Sequence, residues 1–246
     1  MDNNIILGRN PVLEAIRAGH TIDKIFIREG VAEGSLKKVL GAAIASKIPL
    51  SYVDRKKLDM MAEGGNHQGI IAVAAAHEYA TVTDILKFAK DRGEAPFVVI
   101  CDRISDPHNL GAIIRTASGA GAHGVIIPKH ESAGLNATVA KVSAGAVEFT
   151  PVAKVTNIAK TIDDLKQAGL WVTGADSSGD KSLYDADFSG AIALVIGSEG
   201  YGISHLAKEK CDFLVSIPMS GKIESLNASV AAALLMYEVA RKRLQL

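Results

Sequence analysis

The chain is short of cysteine, carries no excess of charge of either sign and has no long unbroken apolar run, and each shortage removes a class of protein. Only Cys101 and Cys211 occur in 246 residues. Two cysteines make no disulfide framework, and no Cys or His spacing matches a zinc motif. Both lie at the edge of apolar runs and read as reduced core cysteines. The 27 basic and 27 acidic residues cancel, so any contact with nucleic acid has to come from local patches and not from a global field. No apolar stretch approaches the roughly 18 residues of a membrane span. The start, MDNNIILGRN, lacks the charged and apolar parts of a signal peptide. The expectation is a soluble cytoplasmic protein without a metal and without a membrane partner.

What is present is 48% hydrophobic and 22% charged, enough for one large or two modest cores. Residues 10–18 space Val12, Leu13 and Ile16 as a short helix with Pro11 in its first turn. The runs KIFIRE (24–29), PLSYVD (49–54) and GIIAVAAA (69–76) read as strands, with a helical stretch at 35–46. Together they predict a small α/β domain over residues 1–77. Residues 78–95 hold one amphipathic helix and a Gly- and Pro-bearing exit, which reads as a linker. From 96 to 246 strands alternate with helices: FVVICD (97–102), a helix from Asn109, GVIIP (124–128), a helical stretch near 136–145, FTPVAKV (149–155), a helix from Asn157, WVTGAD (171–176), AIALVIGS (191–198), FLVSIPM (213–219) and a long last helix. Near-continuous apolar strands between helices predict an α/β fold with a parallel sheet covered on both faces. Ligands bind such sheets outside the carboxyl ends of the strands.

Three strand-end loops have unusual contents. In DRISDPHNLGAIIRTASGAG (102–121), Asn109 reads as a helix start, and Arg115 stands alone among Ala112, Ile113, Ile114 and Ala117. That arginine is either an anion ligand or a surface residue snorkelling from an amphipathic helix. In VIGSEGYGIS (195–204), Gly197, Gly200 and Gly202 flank Glu199; they permit close backbone approach to a ligand, or simply a tight turn. The stretch PMSGKIESLNAS (218–229) is longer than the two to six residues that usually join a strand to a helix. Its Ser225 or Asn227 suits a helix cap, yet capping needs only one of them.

Two nucleotide fingerprints fail. Gly119, Gly121 and Gly124 spell GxGxxG, but between a helix end and a strand, the reverse of the dinucleotide context. SGKIES has Ile223 where a phosphate-binding loop needs Ser or Thr. Neither NAD nor ATP is supported, and a nucleotide-dependent oxidoreductase is the weakest reading.

The segments NLGAIIRTA, LVIGSEGYGIS and SIPMSGKIESLNASVAAALLMYE resemble, in order, the three motifs of the SpoU (TrmH-type) branch of the SPOUT RNA 2′-O-ribose methyltransferases. GRNPVLEAI and NHQGIIAVAA resemble the L30e-like substrate-binding domain that precedes the catalytic domain in the 23S rRNA guanosine 2′-O-methyltransferases of this family. The resemblance implies a C-terminal trefoil knot, S-adenosyl-L-methionine as methyl donor and a homodimer. It implies cofactor contacts, mostly from backbone, at Gly197, Ile217 and Leu226. It also implies catalytic and substrate-positioning roles for Asn109, Arg115, Glu199, Ser225 and Asn227. A guanidinium is a poor base at neutral pH, so the role expected of Arg115 is anchoring phosphate and stabilising an alkoxide. The implied substrate is RNA, with a guanosine of the peptidyl-transferase loop of 23S rRNA favoured. A tRNA or another rRNA nucleotide is the alternative, and a non-catalytic RNA binder is the reading from a different class.

Overall fold

The computed structural model describes residues 5–30, 34–221 and 225–244. They form two units, the first running up to Glu78 and including Gly134–Ala137, the second made of Tyr79–Ala133 and the described residues from Thr138 on.

The first unit runs β1 (Ile5–Leu7), α1 (Arg9–Arg17), β2 (Ile22–Arg28), α2 (Ser35–Ala45), β3 (Leu50–Val53), α3 (Arg55–Ala62) and β4 (Ile70–Ala74). Its sheet has the order β1-β4-β2-β3, with β2 and β3 parallel and β4 antiparallel to both β1 and β2. Alternation along β2 builds two cores. Ile25 and Ile27 join Val12, Leu36, Val39 and Ile70 on the face covered by α1 and α2. Phe26 joins Leu58, Ala62 and Ile71 on the face covered by α3. Two of these elements go beyond the sequence expectation: β1, and α3, which Asp54 caps by accepting from Lys57 N at 2.8 Å.

The second unit continues with α4 (Val82–Asp91), β5 (Phe97–Asp102), α5 (Pro107–Gly119), β6 (Gly124–Pro128), α6 (Ala137–Val142), β7 (Val152–Val155) and α7 (Ile158–Gln167). β8 (Trp171–Ala175), β9 (Lys181–Ser182), β10 (Ile192–Gly197), α8 (His205–Lys210), β11 (Phe213–Ser216) and α9 (Ala228–Leu244) complete it. All pairings in its sheet are parallel, in the order β7-β6-β5-β10-β8-β11-β9. Every residue of β5 is buried, as a strand covered on both faces requires. Ile85 of α4 and Ile158, Ile162 and Leu165 of α7 close one face, while α5 and α9 pack together on the other. The stretch expected as a linker is thus folded onto this sheet. Thr81 and Asp84 cap α4 reciprocally, Ala80 bridges Ala153, and Ile85 is fully buried. No helix among the described residues is long and apolar enough to cross a membrane.

Candidate active site

The strand order reverses beside β5. From β5 the chain runs outward through β6 and β7, then returns to build β8, β10 and β11 on the other side. β5 and β10 lie in register up to Gly197 opposite Asp102. Their carboxyl ends therefore border the crevice in which an open parallel sheet takes its ligand.

Each wall of that crevice is set by local chemistry. The helix after β5 begins two residues before the expected start. Asp106 caps it, accepting from His108 N at 2.9 Å, and Pro107 occupies the first turn, where its missing N–H is harmless. Asn109 therefore lies inside the first turn of α5 and is buried. After β10 the chain folds into a tight hairpin, with Ser198 N donating to Gly202 O at 3.1 Å and Gly202 N to Ser198 O at 2.8 Å. A Cβ on Gly197 would overlap the Gly202 carbonyl group, so only glycine fits there. The hairpin carries Glu199 at its turn.

Three side chains far apart in sequence close a triangle. Glu199 Oε1 accepts from Asn109 Nδ2 at 3.1 Å, from Asn227 Nδ2, and from the backbone N–H of Ala228 at 3.3 Å. Asn227 Nδ2 also donates to Asn109 Oδ1 at 3.0 Å. The other end of the same amide caps α9: Asn227 Oδ1 accepts from Ser229 N at 3.0 Å, Ser229 Oγ at 2.6 Å and Val230 N at 3.3 Å. The cap expected at this place exists, and it does not exhaust the side chain. Glu199 also sits at the positive end of a 17-residue helix, where a carboxylate is stabilised.

Arg115 and Ser225 stand outside the triangle. Arg115 follows Asn109 by six residues, about 9 Å along the axis and about 120° around it. Its side chain is exposed and has no ion pair with a described residue. Ser225 is exposed and makes no side-chain hydrogen bond with a described residue. Ile217 and Leu226 are half-buried on the connection from β11 to α9. Among the described residues no backbone hydrogen bond holds 217–221, Ser225 or Leu226. Donors and acceptors beside the strand ends are thereby left for a ligand. Lys222, Ile223 and Glu224 lie outside the described residues.

Asp102 is a member of the site that sequence reasoning treats only as the end of a strand. It is 3% exposed and accepts from Ser204 N at 2.6 Å, tying the end of β5 to the loop after β10. Its signal is an acid closing a wholly apolar strand. Arg103 follows it with a left-handed φ of 61°.

Fold and site together define an α/β protein whose ligand crevice opens where a parallel sheet reverses its order, preceded by a smaller α/β unit. Two family models match: SpoU rRNA methylase over residues 96–237 and RNA 2′-O ribose methyltransferase substrate binding over residues 5–80. YacO of Bacillus subtilis (strain 168), named as a TrmH family tRNA/rRNA methyltransferase, is 48% identical over 241 residues, 98% of this chain and 96% of its own. The SpoU methyltransferase AviRb of Streptomyces viridochromogenes, solved with the cofactor AdoMet, is 26% identical with a TM-score of 0.62, over 98% of this chain and 90% of its own. The TrmH/SpoU tRNA modifying enzyme of A. aeolicus is 27% identical with a TM-score of 0.57, over 62% of this chain and 77% of its own. The chain belongs to the SpoU rRNA methylase family, as the three loops implied.

Proposed function

We propose that this protein transfers the methyl group of S-adenosylmethionine to a ribose 2′-hydroxyl of RNA, and that its target is a guanosine in the peptidyl-transferase loop of 23S rRNA. The observation that carries the reading is the Asn109–Glu199–Asn227 triangle at the switch point, bordered by a stretch of backbone with uncommitted hydrogen-bonding groups. Gly197, Ile217 and Leu226 suit the donor, because backbone at two neighbouring strand ends can hold an adenine edge and an amino-acid head group. When bound, S-adenosylmethionine supplies an electrophilic methyl on a sulfonium.

A ribose hydroxyl is a weak nucleophile, so the chain must align it and stabilise the charge that develops on its oxygen. Glu199 has Oε1 filled by three N–H donors, which fixes the carboxylate and leaves Oε2 for the ribose. Asn109 and Asn227 hold it there, and Ser225 lies beside the same entrance. Arg115 anchors the target phosphate and stabilises the alkoxide, contributed from a second copy of the chain. Two observations support a homodimer. Arg115 makes no hydrogen bond to the triangle of its own chain and lies about 120° around α5 from Asn109. Val230, Leu234 and Tyr237 make an apolar stripe on α9 at one-turn spacing, exposed by 48%, 39% and 56%, and such a face calls for a partner.

Two findings favour rRNA: the family model over residues 96–237 carries that name, and the tRNA modifying enzyme of A. aeolicus covers only 62% of this chain. A tRNA target remains the second reading, because the relatives' names join tRNA and rRNA. The place of work is the cytoplasm, where both RNAs are found. Labelled S-adenosylmethionine offered with 23S rRNA and with tRNA tests the choice: label in the 23S rRNA is expected, and label in tRNA alone overturns it.

A further inference from the structure

The connection from β5 to α5 carries an arginine outside the triangle. Arg103 takes a left-handed backbone, φ 61°, a region that costs free energy for any residue with a Cβ and little for glycine. Both of its neighbours are fixed. On one side Asp102 is buried, and its Oδ2 accepts from Ser204 N at 2.6 Å. On the other Ile104 is buried, and its carbonyl accepts from Ala133 N at 2.9 Å and from Ser132 Oγ at 3.3 Å. The backbone of Arg103 is therefore held in its strained region from both sides, and strain of this kind gathers where a side chain is needed in one direction.

The head group is oriented by charge and its donors remain open. Arg103 Nε lies 3.8 Å from Asp102 Oδ1, close enough for attraction and too far for a hydrogen bond. Nε is buried without a hydrogen-bond partner, and neither Nη group bonds a described residue. The side chain is 32% exposed. No carboxylate other than Asp102 pairs with it among the described residues. A buried carboxylate beside a guanidinium fixes its direction, while the planar fork keeps its N–H groups for a second anion. Its place in the fold says which anion. Asp102 pairs with Gly197 across β5 and β10, so Arg103 stands one residue beyond the strand ends that border the crevice. It shares the β5–α5 segment with Asn109 and Arg115, the side assigned to RNA, whereas the donor is assigned to the ends of β10 and β11.

We propose that Arg103 grips a phosphodiester next to the ribose to be methylated, from the same chain that supplies the Asn109–Glu199–Asn227 triangle. The inference rests on the reading that RNA is the substrate, and it adds a second anchor to that reading. With Arg115 coming from the other copy, the target nucleotide is held between two guanidinium groups, one from each chain. A displacement that depends on alignment gains from two fixed points. Phosphate contacts position an RNA without reading its sequence, so Arg103 adds affinity and register and leaves the choice of base to other groups.

The test uses the full chain, S-adenosylmethionine and a transcript of the peptidyl-transferase loop of 23S rRNA. Arg103→Gln and Arg103→Lys both keep a side chain on the left-handed backbone, so the difference between them reports the charge of the head group. Arg103→Gln should raise KM for the RNA about tenfold, the loss of one charge-assisted pair, and leave S-adenosylmethionine affinity at the parental value. Its slope of log affinity against log salt should fall by about 0.7, one phosphate no longer neutralised, while Arg103→Lys keeps the parental slope. A parental KM and slope in Arg103→Gln overturn the proposal. So does a loss confined to S-adenosylmethionine affinity, which would assign the guanidinium to the carboxylate of the donor. Mixed dimers test which chain contributes Arg103. At RNA well below KM, Arg103→Gln mixed with Arg115→Ala should exceed Arg103→Gln alone, since one site then combines an intact Arg103 and triangle with an intact Arg115. Mixed with Asn227→Ala it should not, and a gain there overturns the proposal. Modification of the unaltered chain by an arginine-selective dicarbonyl, read by mass spectrometry, needs no variant to fold: the RNA should shield Arg103, and equal reactivity with and without RNA overturns the proposal. Methyl transfer by the unaltered chain is measured alongside. Shielding without transfer leaves the contact with RNA standing and defeats the proposed function, while transfer without shielding defeats the role of Arg103 alone.

Discussion

At Asn227 the carbonyl end of one side chain caps α9 while its amide end reaches Glu199 and Asn109, so substitutions separate the two jobs. Asn227→Ala should lose methyl transfer and about 1 kcal/mol of stability, the usual cost of removing a cap. Asn227→Ser keeps a hydroxyl acceptor for the cap but is too short to bridge Glu199 and Asn109. Its melting temperature should return toward that of the parent while turnover stays abolished; recovered turnover would reduce Asn227 to a cap. Arg115→Ala should abolish transfer and leave S-adenosylmethionine affinity within a few fold, measured by calorimetry, because the role proposed for the guanidinium lies with the RNA. A residue outside the site contributes to the acid response. His123 is 1% exposed, takes Phe97 N on Nδ1 at 3.0 Å and presents Nε2 to Glu94 at 3.0 Å. Burial pushes its pKa below the ordinary 6.5, with the Glu94 bond pulling the other way. The unfolded chain therefore takes up this proton first, so the contribution is complete above about pH 6.5 and is lost as pH falls below it. Thermal melts between about pH 8 and pH 5 should show that decline, and His123→Gln should flatten it.

The elements that place the crevice are those with the plainest sequence signal. FVVICD and GVIIP coincide with β5 and β6 because central parallel strands, covered on both faces, are near-continuous apolar runs. The helix expected from Asn157 begins there, with Asn157 as its cap, accepting from Lys160 N at 3.0 Å. Elements carried by few buried residues are not legible in this way. α3 is charged at four of its eight positions and rests on Leu58 and Ala62, too few buried positions to show a period. β1 has three half-buried residues, and β9 two residues, neither buried. The start of α5 is misplaced because Asn109 is itself a good capping residue, whereas Asp106 with Pro107 does that work. Candidate site residues are legible one at a time, but the triangle is not: its members are 90 and 118 positions from Asn109, and only the sheet order makes them neighbours. The hairpin after β10 gives the element-scale prediction. Gly197→Ala puts a methyl into the Gly202 carbonyl. It should cost about 1 to 3 kcal/mol, as overpacking does, and should weaken S-adenosylmethionine binding more than substitution of Ser225.

On the scale of the whole molecule, the proposed mechanism needs two copies. Leu234→Glu in the α9 stripe should yield monomers by sedimentation and abolish methyl transfer while circular dichroism stays that of the folded chain. Mixing Arg115→Ala with Asn227→Ala should restore part of the activity, since half of the sites in each mixed dimer of a two-fold arrangement then hold an intact arginine and an intact triangle. The central claim, transfer of a methyl group to a ribose hydroxyl, is tested most directly on the product. The chain is incubated with S-adenosylmethionine and 23S rRNA, and the RNA is digested to nucleosides and analysed by mass spectrometry. The account predicts 2′-O-methylguanosine that is absent when Arg115→Ala is used. Methyl groups found only on bases, or no methylated nucleoside from a chain that binds both cofactor and RNA, would contradict it.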